Sequence, residues 1–397
     1  MKLTFIQGGT RLKQDNEGTW YTDGNFNDKV WERYKSYCDE FRVILRKEDK
    51  KYSKEVAQSK YNIVPLDKLK LFPVADLNRP MIRNLNLVLK KKVDKEIEEV
   101  IKTSDKVIIR SILNHYTLTA LKYCKKYKKP YLIEVAGYAF DGYWSHGDLL
   151  GKLAAIPYEI LVKVNMKKAP YSVYVTNEAL QKRYPTNGRE LGCSDVELRE
   201  LDENILINKI DKYKNNDGKK IIMGTLGWVN LKTKGQHDVI KALYKLKTKG
   251  ITNFEYQLVG AGDDTFLRGL IKKYNLEEIV HIVGGKTHEE VFTWLETIDL
   301  YIQPSYQEGL CRAIVEAMSK ACPIIASNAG GNYELTSKKY IFKKGNVNQI
   351  VKILENITID ELIKESKRSF ENSKDYQKEI LDKKRDEFYR EFINEGI

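Results

Sequence analysis

Glu308 and Glu316 stand eight residues apart in PSYQEGLCRAIVEAM (304–318), directly after the apolar run DLYIQ. Paired carboxylates serve as acid and nucleophile in glycoside hydrolysis, where they lie about 5–9.5 Å apart around one bond. Eight residues of helix rise roughly 12 Å. The spacing therefore favours contacts at separate points along an extended ligand, one Glu at each end. Gly309 lets backbone approach a ligand closely. The residues after it, Leu310 and Cys311, open a helical pattern whose first N–H groups lack internal partners and favour an anion.

Such a site needs a strand that ends on it. The sequence supplies two series of alternating apolar runs and helical patterns. Strands are expected at 2–7, 41–45, 106–112, 131–135 and 171–176, with helices near 30–40, 88–102 and 117–128. A second series begins at 220–226 and continues at 256–259, 279–283, 299–303 and 323–327, with helices near 235–247, 265–274, 289–295 and 312–320. Alternation of this kind predicts mostly parallel sheets covered on both faces, and ligands at the carboxyl ends of the strands. The polar stretch 201–219 reads as a linker. The expected architecture is α/β, two doubly wound Rossmann-like domains at 1–205 and 206–375, with a helix over 376–397 that packs back on the first. Gly260 and Gly262 lack the third glycine of a dinucleotide fingerprint and read as a tight turn.

The chain is long enough for two cores at 397 residues. No run approaches the roughly 20 apolar residues of a membrane span. The opening apolar stretch is too short for a signal peptide and reads as a strand. Five scattered cysteines without a C-x-x-C pair argue against a disulfide framework or zinc site and for a reducing, cytoplasmic compartment. Residues 1–200 hold 37 Lys and Arg against 26 Asp and Glu, whereas 201–397 hold 31 against 29. The basic first half points to an anionic partner: a diphosphate-bearing substrate or an anionic lipid surface. Nucleic acid is not expected, because no zinc-finger spacing, RNP-like aromatic motif or helix-turn-helix pattern occurs.

Over about 220–335 the sequence resembles the retaining glycosyltransferases of the GT-B fold, glycosyltransferase family 4 (group 1). The matching segments appear in order: Ile222-Met223-Gly224, Lys234-Gly235, YQLVGAG (256–262), HIVGG (281–285), PSYQEGLCRAIVEAM, ACPIIASNAGG (321–331) and Glu334. The resemblance implies that Glu308 contacts the transferred sugar, Glu316 the ribose and Lys234 the donor diphosphate. Backbone at Val283–Gly284, and at Gly309, Leu310 and Cys311, would lie against the donor. It implies a nucleoside diphosphate sugar as donor, UDP favoured over GDP, no further cofactor and no metal. No Asp-x-Asp motif ends a strand, and Asp263-Asp264 reads as a helix cap. The family usually places an Arg shortly before the Lys, and none occurs between Arg199 and Arg268. Lys232 or Arg312 could substitute, or diphosphate neutralisation rests on Lys234, the helix end and a group from the other domain.

In the first half, the resemblance implies a loop near donor or acceptor at Gly8-Gly9, which a plain strand-ending turn also fits, and a cleft histidine at His115. Tyr138, Tyr143, Trp144 and His146 offer aromatic and polar contacts to an acceptor glycan. Lys163, Lys167 and Lys168 beside Ile160, Leu161 and Val164 would suit an anionic membrane surface. Together with these features, the resemblance implies a metal-independent retaining hexosyltransferase acting on a lipid-linked surface glycan, peripheral on the inner face of the membrane. A nucleotide-sugar 2-epimerase of the same fold and a non-catalytic nucleotide-sugar-binding subunit are the competing readings.

Overall fold

The computed structural model describes the chain except residues 24–25, 113, 141–148, 197, 199, 216–217, 219 and 396–397. Its first half builds one sheet from β1 (Lys2–Asp15), β2 (Trp20–Thr22), β3 (Glu40–Tyr52), β4 (Asn62–Ile63), β5 (Lys70–Ala75), β6 (Lys106–Arg110), β7 (Tyr131–Val135), β8 (Tyr171–Tyr174) and β9 (Arg189–Gly192). The order β5-β3-β1-β6-β7-β8-β9 is parallel throughout. β2 pairs antiparallel with the far end of β1, and β4 with β2. Successive side chains point to opposite faces. Thus Leu3, Phe5 and Ile108 meet the helix Asp28–Lys35, while Ile6, Val107 and Ile109 meet the helices Leu87–Lys102 and His115–Lys126. Burial on both faces explains why β6 reads as a continuous apolar run.

The second half is a six-stranded parallel sheet of β10 (Ile221–Leu226), β11 (Phe254–Val259), β12 (Val280–Gly284), β13 (Leu300–Gln303), β14 (Ile324–Ser327) and β15 (Ile341–Phe342). Its order is β12-β11-β10-β13-β14-β15. The order reverses at β10 and β13, and ligands bind at such a switch point.

Three expectations fail on local structure. Gly8 and Gly9 do not form a loop, because β1 runs through them to Asp15 with a register shift against β3 between Ile6 and Arg11. A Cβ on Gly8 would stand 2.1 Å from Asn114 Oδ1. That oxygen caps the helix His115–Lys126 by accepting from Thr117 N at 3.1 Å. Gly8 is small so that this cap can lie against β1. The stretch 201–219 is not an extended linker but carries the helix Glu203–Lys214, capped by Asp202. Its buried face holds Tyr213, which donates to Asp299 O at 2.6 Å, and Lys209, which donates to Glu296 O and Ile298 O at 2.9 and 2.6 Å. A lysine used to cap another helix hides an amphipathic pattern behind a polar composition. The strands β2, β4, β5 and β9 escape the sequence pattern because they lack a long buried apolar run.

The helix Lys378–Asn394 crosses back to the first sheet. Tyr389 and Tyr34 both donate to Glu134 Oε1, the latter at 2.7 Å, and Lys106 Nζ donates to Phe392 O and Glu395 O at 2.6 Å. Arg110 bridges Glu134 at 2.7 Å and Asp195 at 2.5 Å, and Arg385 donates to Ser194 O at 2.7 Å. Tyr34, Tyr389 and Glu134 are buried, so losing one donor leaves a charged acceptor short of a partner in low dielectric. Tyr389→Phe is expected to destabilise the protein by about 1–3 kcal/mol, measured as a fall in denaturation midpoint. An unchanged midpoint would mean that Tyr34 and Arg110 alone satisfy Glu134.

Candidate active site

A cleft of ≈ 1460 Å³ lies between the halves; Gln7, Thr10, Arg33, Arg110 and Ser111 line it from one side, and His288, Leu310, Arg312 and Glu316 from the other. Its second wall follows from how β13 ends. The chain leaves Gln303, passes through 304–311 and enters the helix Arg312–Ser319, whose N-cap residue, Cys311, makes no side-chain cap bond. The first N–H groups of that helix are thus left without a side-chain partner.

Lys234 closes the short 3-10 turn Lys232–Lys234, and Gly235 follows at φ 72°. A Cβ there would sit 2.0 Å from Pro304 O. Only glycine satisfies both the left-handed backbone and this contact. Tyr306 N donates to Thr233 O at 2.8 Å, tying the two loops together. The result is an ion pair: Lys234 Nζ donates to Glu308 Oε1 at 2.8 Å, and Gln303 Nε2 approaches the same oxygen at 3.3 Å. Burial disfavours the Lys234 charge, but Glu308 overrides it and holds the ammonium above its ordinary range. Burial also raises the Glu316 carboxyl above the usual carboxylate range, against the opposing pull of His288 at 3.7 Å and of Arg312.

The halves touch beside this wall. A Cβ on Gly309 would lie 2.3 Å from Ala136 O in the first half. Gly331 N donates to Gly309 O at 2.7 Å. The Glu334 carboxylate accepts N–H bonds from Asn177, Glu178 and Ala179 at 2.7, 3.2 and 2.7 Å, capping the helix Ala179–Arg183 from the opposite half.

Residues 207–376 match the family described as glycosyl transferases group 1. Protein CapJ of Staphylococcus aureus is 36% identical over 366 residues, covering 89% of this chain and 85% of that protein. The chain belongs to the group 1 glycosyl transferases. The putative colanic acid biosynthesis glycosyltransferase WcaL of Escherichia coli is 35% identical over 109 residues, 26% of this chain and 27% of WcaL. Among solved structures, Anabaena Alr3699/HepE in complex with UDP superposes at a TM-score of 0.63 with 16% identity, covering 98% of this chain and all of that one. WaaG, a glycosyltransferase involved in lipopolysaccharide biosynthesis, superposes at 0.61 with 15% identity over 99% and 100%. The fold is GT-B.

In this transferase Glu308, Lys234, Glu316, Gly309, Leu310 and Cys311 fall in one wall of the cleft and its support. Leu310 and Glu316 line the cleft itself, and the Lys234–Glu308 pair lies in the loops beside them. Val283, half exposed, and Gly284, at φ 93°, end β12. His115 is not a cleft residue: its Nε2 meets Asp94 Oδ1 at 2.7 Å, joining two helices on the outer face of the sheet. Gly8 and Gly9 do not line the cleft either, where their neighbours Gln7 and Thr10 do. Tyr138 packs against Tyr184 and the first core. Tyr143, Trp144 and His146 lie outside the described residues. Lys232, one candidate to replace the absent Arg, places its Nζ 4.6 Å over the Phe266 ring.

Arg110, Ser111 and His288 line the cleft without having been singled out from sequence. Ser111 carries a signal visible only in structure, φ 61° at a strand end, a strained conformation that concentrates at functional sites. His288 is the first helical residue within the capping box of Thr287 and Glu290, a local cue that a helix mouth opens after HIVGGK. Gly309→Ala places a methyl against the Ala136 carbonyl, so it is expected to separate the two walls and abolish turnover while thermal unfolding changes little. Retained activity would show that the Gly309 contact is dispensable.

Proposed function

We propose that this transferase moves a hexose from a nucleoside diphosphate sugar, UDP-linked in preference to GDP-linked, to an acceptor hydroxyl on a lipid-linked surface glycan. The observation that carries the donor half is the Lys234–Glu308 pair behind a helix mouth, with Glu316 two turns along the same wall. A leaving diphosphate develops negative charge on its bridging oxygen. Lys234 and the N–H groups after Cys311 are fixed where they stabilise that charge without reorganisation. Glu316 accepts from the ribose, and Glu308 from the transferred sugar.

The reaction is read as retaining and metal-independent. The acceptor oxygen bonds to the anomeric carbon on the face from which the diphosphate departs, and the acceptor proton passes to the departing phosphate oxygen. No protein base is required on this scheme, which is consistent with a Glu308 already engaged by Lys234. Support for the donor comes from HepE, which was solved in complex with UDP-glucose. Support for the acceptor comes from names: WcaL is named for colanic acid biosynthesis, and CapM of Staphylococcus aureus for capsular polysaccharide biosynthesis.

A lipid-linked acceptor would meet the enzyme at a bilayer. Among the described residues no helix is long and apolar enough to cross a membrane. The helix Leu149–Met166, however, exposes Leu153, Ile156, Ile160, Leu161 and Val164. Lys163, Lys167 and Lys168 lie at its end, and Lys125 Nζ ties it to the helix His115–Lys126 through Asn165 at 2.7 Å. Apolar side chains flanked by lysines match an anionic membrane surface. The protein is expected to float with vesicles containing anionic phospholipid, and Ile156→Ser with Ile160→Ser to release it. A wild type left in the soluble fraction would overturn this part of the reading.

Glu308→Ala is expected to lower kcat by roughly 10²–10³ while nucleotide binding persists. Glu316→Ala should weaken nucleotide binding about tenfold or more. Two variants indistinguishable from wild type would sink the site assignment. A pH profile gives an independent check. Glu316 binds ribose in its ionised form, and its carboxyl is raised above the unperturbed value of about 4.3. Nucleotide binding should therefore be full above that raised value and be lost as pH falls through it. Glu316→Gln should remove that dependence, as read by calorimetry across the acidic range.

A further inference from the structure

The donor reading leaves a charge imbalance at the diphosphate. A nucleoside diphosphate sugar brings two phosphates, whereas Lys234 is one cation and shares its charge with Glu308 at 2.8 Å. The loop GWVNL (227–231) between β10 and the Lys232–Lys234 turn carries no cation, and Trp228 stands exposed in it. Lys232 is drawn away over Phe266.

Arg312 meets the need on three separate grounds. It lines the cleft together with Glu316. It makes no hydrogen bond or ion pair among the described residues, and its charge is felt by both Lys234 and Glu316, so it lies within electrostatic reach of each. Finally, Arg312 and Glu316 are four residues apart on one helix, hence on one face and separated by roughly 6 Å of axial rise. Glu308, Arg312 and Glu316 recur at intervals of four along the wall that reads as sugar end, middle and ribose end.

We propose that Arg312 is a donor-binding residue that grips the diphosphate and supplies the second cation of the site, from the helix after β13 rather than from the loop after β10. A planar guanidinium can engage two phosphate oxygens at once, which a lysine at the same place does not reproduce. The inference rests on the donor reading of the cleft, and Glu316→Ala tests that reading separately.

The experiment is calorimetric titration of wild type, Arg312→Ala, Arg312→Lys and Glu316→Ala with UDP and with uridine, or with GDP and guanosine if GDP binds more tightly. Arg312 is exposed, so its variants should fold, which thermal unfolding verifies. Arg312→Ala should weaken diphosphate binding at least about tenfold, as expected for a lost charged hydrogen bond, and leave nucleoside binding within about twofold. Arg312→Lys should fall between. Equal losses for diphosphate and nucleoside, or no loss for either, would overturn the role of Arg312. If Glu316→Ala binds both ligands as wild type does, the donor reading of this wall falls instead.

Discussion

The site depends on backbone contact at two glycines. Gly235 lets the turn after β10 touch the carbonyl of Pro304, and Gly309 lets the loop after β13 touch the carbonyl of Ala136 in the other half. Any side chain at either position would overlap a carbonyl oxygen at little more than 2 Å. The first contact places Lys234 on Glu308; the second brings the wall that bears Glu316 and Arg312 against the first half. Charge pairing follows from these approaches and does not create them. The Lys234–Glu308 pair is largely buried, so the cost of removing both charges from water offsets much of their attraction.

The other side of the cleft is held by a different interaction. Glu134, buried on β7, collects Tyr34, Tyr389 and Arg110, and Arg110 extends the network to Asp195. Tyr389 comes from the last helix, so the chain that built the second sheet returns to satisfy a charge in the first. Burial strips water from Glu134, and only three converging donors make the ionised carboxylate tolerable there. The same network fixes Arg110 at the cleft margin. The first half therefore presents a charged floor whose geometry is set by residues, Glu134 and Tyr389, 255 positions apart in sequence.

Legibility from sequence tracked how local the determinant was. The 304–318 segment and Lys234-Gly235 were readable because their roles follow from a strand end, a glycine and a helix start, all within a few residues. The two-sheet architecture was readable from its Val- and Ile-rich runs. His115 was misjudged because its partner, Asp94, lies on another helix, and nothing near His115 in sequence reveals it. Gly8-Gly9 looked like a turn because the reason for the small residue, Asn114, is also remote. The helix Glu203–Lys214 was hidden by Lys209, whose burial makes sense only once three carbonyls of another helix end are seen around it.

The two halves are joined by contacts of unlike cost. The helix Lys378–Asn394 buries Phe388, Tyr389 and Phe392 against Tyr171, Tyr34 and Tyr37 of the first half, and water cannot replace such packing. Near the site the join is polar. Glu334 accepts three exposed or part-buried N–H groups, which water can reach and serve when the halves part. Lys182 over the Tyr333 ring, 5.6 Å from its centroid, adds another solvent-facing contact of the same rank. The apolar join packs the last helix on the first sheet, and the exchangeable one lies on the Gly309 side of the cleft. Separating the halves at the cleft costs a few water-replaceable bonds, whereas separating them at the last helix would expose an aromatic core. A ligand that spans from Glu316 to the first half therefore acts against the weaker of the two joins, and the fold keeps its integrity whichever way that join stands.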